Sequence, residues 1–215
     1  MKRLAAFICA VLVPSGALAH PHVFVDATVE VIFDAEGRAT AVRIGWTYDE
    51  LFSLAYVTEN GLDPDFDGVM APEVAASLPG FDTGWDPDFP GDSYALLGDR
   101  PLGLSRPEAP TARYEAGKLS SSHLRQLSEP VALTDAELVI QIYDPSFYTS
   151  YSIVGTPALT GGDGCSVQVF EPDREAADAR LEAALQELAG SPDAEAEFPA
   201  IGAAYAEEAR ITCRK

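Results

Sequence analysis

Three histidines occur in the 215 residues, and two of them, His20 and His22, stand either side of Pro21. Neutral imidazole is a ligand for zinc, copper and nickel alike. Two residues apart on an extended chain, the rings leave from the same side with Cα atoms ~6.6 Å apart, within reach of one ion. The preceding Ala17-Leu18-Ala19 has the small residues of a leader-cleavage site. Cleavage after Ala19 would add the free amine of His20 to the donor set. Pro21 has no amide proton to lose, which blocks the square-planar amino-terminal chelate of copper and nickel. Ligand type alone does not choose the metal, and zinc bound by His20 and His22 is the first expectation. The alternatives are Cu2+ gripped by the amine and ring of His20, and Ni2+ or Co2+.

Two imidazoles do not complete a tetrahedral shell, and zinc also accepts carboxylate oxygen. Asp49, after Trp46-Thr47-Tyr48, and Asp144, after Tyr143 and before Pro145, are the candidates. Each has a structural alternative, a helix cap for Asp49 and a turn for Asp144. A second metal motif is Asp63-x-Asp65-x-Asp67-Gly68, the first half of a calcium-binding loop. Its closing position holds Val74 where a bidentate Glu belongs, so the expectation is a weak Ca2+ site at Asp63, Asp65 and Asp67. His123 is expected to be an ordinary exposed histidine. Asp82, Asp86, Asp88 and Asp92 are expected to form a solvated acidic loop.

Met1-Lys2-Arg3, the apolar Leu4–Val13 run and Pro14-Ser15-Gly16 complete the pattern of a cleaved leader over residues 1–19. Residues 20–215 then form a single exported domain. No later segment reaches the ~20 apolar residues of a membrane helix, so no stable membrane insertion is expected. The formal charge is −20, and losing Lys2 and Arg3 takes it to −22. Such a surface repels nucleic acid and attracts cations. Without Cys9 two cysteines remain, Cys165 and Cys213, and an even count in an exported chain predicts a disulfide. Gly-x-Ser-x-Gly, His-Glu-x-x-His and phosphate-loop signatures are missing, and the expectation is a protein that is not an enzyme.

The side chains must be positioned by an α+β fold. Val23, Val25, Ala27, Val29 and Val31 alternate with Phe24, Asp26, Thr28, Glu30 and Ile32, which predicts a strand over 22–33. A turn at 34–37 and a return strand over 39–48 make a hairpin. Short helices are predicted after Asp49 and from Pro72 to Leu78. Strands are predicted over 94–97, 101–104, 118–128, 136–143, 166–170 and 209–213, with weak periodicity through 79–118. The best helix pattern is 173–189, and a shorter acidic helix follows Pro192. The sum is an antiparallel, sandwich-like sheet core with inserted helices and a C-terminal helix.

His20-Pro21-His22-Val23-Phe24-Val25-Asp26, Trp46-Thr47-Tyr48-Asp49, the Asp63–Gly68 loop and Tyr143-Asp144-Pro145-Ser146-Phe147-Tyr148 follow one another in the chain. In this order they resemble the domain-of-unknown-function family 1007, closely over residues 20 to about 151. The resemblance implies a periplasmic component of an ABC-type or other metal transport system. Its partner would be an inner-membrane metal permease, commonly of the nickel/cobalt-exporter type, with zinc acquisition implicated for some members of the family. A rival of a different class is a metal-free interaction module whose acidic loops dock a permease.

Overall fold

The structure, a computed structural model, describes residues 21–188 and 199–214. The expected leader, His20 and the acidic helix expected after Pro192 lie outside these residues. In chain order the elements are β1 (Val23–Phe33), β2 (Ala39–Tyr48), α1 (Glu50–Glu59), α2 (Pro72–Ser77), β3 (Ser93–Leu97), β4 (Arg100–Leu102), β5 (Glu108–Glu115) and β6 (Lys118–Val131). They continue with β7 (Leu138–Ile142), β8 (Thr149–Ile153), β9 (Ala158–Thr160), β10 (Cys165–Phe170), α3 (Arg174–Leu188), a 3₁₀ turn (Gly202–Tyr205) and β11 (Glu208–Cys213).

The strands form two sheets. The first runs β5-β6-β2-β1-β8, with β9 also on β1, and the second runs β10-β11-β7-β3-β4. The inward residues of β1 are the predicted Val25, Ala27, Val29 and Val31. They join Val42, Ile44, Leu138, Ile140, Ile142, Ala209 and Ile211 in one apolar core drawn from both sheets. The α+β architecture agrees with the sequence.

The pairing is not wholly antiparallel, however. β8 and β9 both run parallel to β1, with Val23 opposite Thr149 and Glu30 opposite Ala158. The weakly periodic 79–118 region contains a strand the sequence did not suggest, β5, on the edge of β6. Its outward residues and its edge position leave it little apolar signature.

Asp49 caps α1, and Asp173 accepts the Ala176 N–H at the start of α3. α3 starts one residue later than its pattern suggested, is described as far as Leu188, and buries Ala177 and Leu181. Cys165 and Cys213 face each other across β10 and β11 and are bonded, as expected. Among the described residues no helix is long and apolar enough to cross a membrane.

Candidate metal centre

The start of β1 is where the sequence motifs meet. β1 lies between β2 and β8, so the end of β2 and the loop leading into β8 flank the residues that follow Pro21. His22 donates its backbone N–H to the Tyr148 carbonyl at 2.8 Å, and its ring lies 4.9 Å from that of Tyr148. The other side of the same peptide group, the Thr149 N–H, donates to Asp144 Oδ2 at 3.0 Å. Asp144 Oδ1 accepts from the N–H and hydroxyl of Ser146 at 2.8 and 2.7 Å. The Asp144 carboxylate therefore folds residues 144–149 into the loop that grips His22.

Asp49 does the corresponding work on the β2 side. Its Oδ1 accepts from Phe52 N–H at 2.8 Å and its Oδ2 from Phe24 N–H at 2.7 Å, while its own N–H returns to the Phe24 carbonyl at 2.9 Å. One carboxylate thus caps α1 and extends the ladder to β1. Both aspartates make the structural bonds of a cap and a turn, and they place their carboxylates on either side of the strand that begins with the histidine motif.

The C-terminal segment supports the loop from beneath. Gly202 donates to the Pro145 carbonyl at 3.0 Å, and Phe147 stacks on Tyr205 at 4.3 Å. A Cβ on Gly202 would collide with the Asp144 carbonyl oxygen. Only glycine fits there.

The acidic loop is the second centre. Among the described residues, the acid, imidazole and thiol groups that gather ligand atoms within 4.8 Å of one another are Asp63, Asp65 and Asp67. Asp63 is buried, its Oδ2 accepts the Gly68 N–H at 2.9 Å, and its Oδ1 has no hydrogen-bond partner. Asp65 and Asp67 are exposed. Val74 at the closing position turns toward the apolar core, so the ring of oxygens stays open on that side. This cluster could in principle chelate a metal ion, and carboxylate-only donors favour a hard cation.

Two expectations are overturned inside the molecule. His123 is wholly buried rather than exposed, because β6 turns Leu119, Ser121, His123 and Arg125 inward together. Its ring packs edge-on to Trp46 at 4.9 Å and Trp85 at 5.1 Å, and neither nitrogen has a hydrogen-bond partner. Burial, with smaller contributions from Arg125 and Arg43, lowers its pKa to about 4, which keeps it neutral.

Asp82 and Asp92 are likewise not part of a solvated loop. Tyr48 donates to Asp82 Oδ2 at 2.9 Å, with Ser121 on the same oxygen, and Tyr151 donates to Asp92 Oδ2 at 2.9 Å. Burial raises both acids, Asp92 to about 7. Arg125 supplies no charge partner: it is spent on the carbonyls of Ser105 and Pro90 and on Ser93 Oγ. The strand parity of β6 was the available signal. Leu124, which points outward, masked it.

No curated protein matches the chain. The family described as "Protein of unknown function (DUF1007)" matches residues 5–213. With nearly the whole chain covered by that match, this protein belongs to the DUF1007 family.

Proposed function

We propose that this is a metal-binding accessory protein of a membrane metal transport system, exported to the periplasm, that holds zinc at its amino-terminal histidines and passes it to or from an inner-membrane permease. The observation that carries the reading is the meeting of three motifs at the start of β1. His22 is pinned through its backbone to a loop that Asp144 organises, with Asp49 on the opposite flank. A strand start framed in this way holds the backbone of His22 in place at the edge of the sheet, which suits a metal that must be both held and released. Asp49, Asp144 and His22 do not all bring ligand atoms within 4.8 Å of one another, so the part of the two carboxylates in this reading is to orient the strand start from which the imidazoles reach zinc. The role is binding rather than turnover.

The test is a zinc titration of the chain beginning at His20. His20→Ala with His22→Ala should abolish tight binding and leave the circular dichroism spectrum unchanged. Extending the amino terminus by one residue should spare an imidazole-bound zinc and destroy a copper site that uses the amine. Unchanged zinc affinity in the double variant contradicts the assignment.

A second reading concerns the acidic loop, and the open Oδ1 of buried Asp63 favours it. Asp63, Asp65 and Asp67 hold a hard cation such as Ca2+, separately from the transported metal.

A further inference from the structure

Large apolar side chains left uncovered concentrate in one stretch of the chain. Leu51 and Leu54 lie on the outer side of α1, and Phe66 and Val69 lie in the loop that follows it; Phe66 is 65% and Val69 69% exposed. Phe66 stands between Asp65 and Asp67, and its N–H bonds to the Asp63 carbonyl at 3.3 Å. The turn that gathers the three carboxylates is therefore the turn that holds out the aromatic ring. Phe66 adopts φ 56°, a left-handed conformation that is rare for a bulky residue.

The carboxylate set offers too few oxygens to enclose a hard cation. Calcium takes six to eight oxygen ligands at about 2.3–2.6 Å. Here one oxygen of Asp63 is committed to Gly68 and one of Asp67 to the Val69 N–H at 2.8 Å. Val74 closes nothing, and Glu73 is exposed on α2. Several coordination positions are left for oxygens from outside the chain. Asp63, only 4% exposed, keeps its Oδ1 without a hydrogen-bond partner, and its carboxylate lies within 4.8 Å of those of Asp65 and Asp67, so a cation there would satisfy a buried oxygen.

We propose that this loop is a cation-dependent membrane contact. A divalent cation held by Asp63, Asp65 and Asp67 shares lipid phosphate oxygens, while Phe66 and Val69 enter the headgroup boundary. The inference rests on the loop's being a cation site and extends it to a partner. A lipid surface fits better than a protein because it supplies phosphate oxygens to an open ion and receives an isolated aromatic side chain without a matching pocket. The charge of −20 makes the contact conditional. Without the cation, an acidic loop on an acidic protein is repelled from an anionic bilayer.

The experiment is co-sedimentation of the chain beginning at His20 with vesicles of phosphatidylglycerol and phosphatidylethanolamine, in calcium and in chelator. Calcium binding to the same proteins is measured by calorimetry. The wild type should pellet with vesicles only in calcium. Asp65→Asn with Asp67→Asn should lose calcium and vesicles together. Phe66→Asn, which suits a left-handed position, should keep calcium and lose vesicle partitioning by about tenfold or more. Calcium binding without vesicle binding in the wild type, or Phe66→Asn pelleting like the wild type, overturns the membrane contact alone. Failure of the wild type to bind calcium overturns the cation site beneath it, and calcium-dependent capture of a protein partner without vesicle binding assigns the loop elsewhere.

Discussion

His123 and Asp92 are buried groups whose ionisation opposes folding from opposite directions. For His123 the folded pKa of about 4 lies below the ordinary 6.5. The unfolded chain therefore binds the extra proton between these values, and stability falls as pH drops from 6.5 to 4. For Asp92 the folded pKa of about 7 lies above 3.8. There the folded state holds the extra proton, and stability falls as pH rises from 3.8 to 7. The two slopes offset each other across most of that range. Asp92→Asn removes one of them, so chemical denaturation of this variant should show stability declining from pH 6.5 to 4 more steeply than the wild type, by up to ~3 kcal/mol. A variant whose pH profile overlays the wild type would mean that Asp92 titrates normally. The burial of His123 was not legible in the sequence. Leu119, Leu124 and Leu127 fit no single parity, and only the register of Ile44 opposite His123 shows which face is inward.

At the scale of elements, the β1–β2 hairpin was legible because its inward residues are apolar at every second position along β1 and from Val42 to Tyr48 in β2. β8 was not, since Thr149-Ser150-Tyr151-Ser152-Ile153 has a polar alternation with one tyrosine and one isoleucine turned in. Its parallel pairing with β1 spans more than a hundred residues, and no local pattern encodes such a partner. The motifs of the candidate centre could thus be picked out singly, but not their meeting, which depends on β8. Two substitutions probe the frame. Asp49→Ala removes the α1 cap and the Phe24 bond and should cost about 1–2 kcal/mol in denaturant unfolding. Gly202→Ala drives a Cβ into the Asp144 carbonyl and should cost about 1–3 kcal/mol. It should also weaken zinc binding at the far side of the loop, although Gly202 offers no ligand. Gly202→Ala with unchanged zinc affinity would separate the loop from the metal.

Across the whole molecule, the disulfide closes a 48-residue loop and joins β10 to the C-terminal strand β11, which pairs with β7 in the second sheet. Replacing both cysteines by serine should destabilise the fold by about 3–4 kcal/mol in the chain-entropy account, read as a lower thermal midpoint. The same strands set the Gly202–Tyr205 turn beneath the Asp144 loop, so the loss should loosen the candidate centre as well. The acidic surface gathers cations without selecting among them, and selectivity must come from the ligands. The measurement that tests this most directly is the metal content of untagged protein purified from the periplasm, with its amino-terminal residue identified by mass. One zinc per chain on a His20 terminus, absent from the His20→Ala, His22→Ala protein, is the predicted result. A chain that takes up no zinc after incubation and washing, or a double variant that keeps it, would contradict the metal-carrier account.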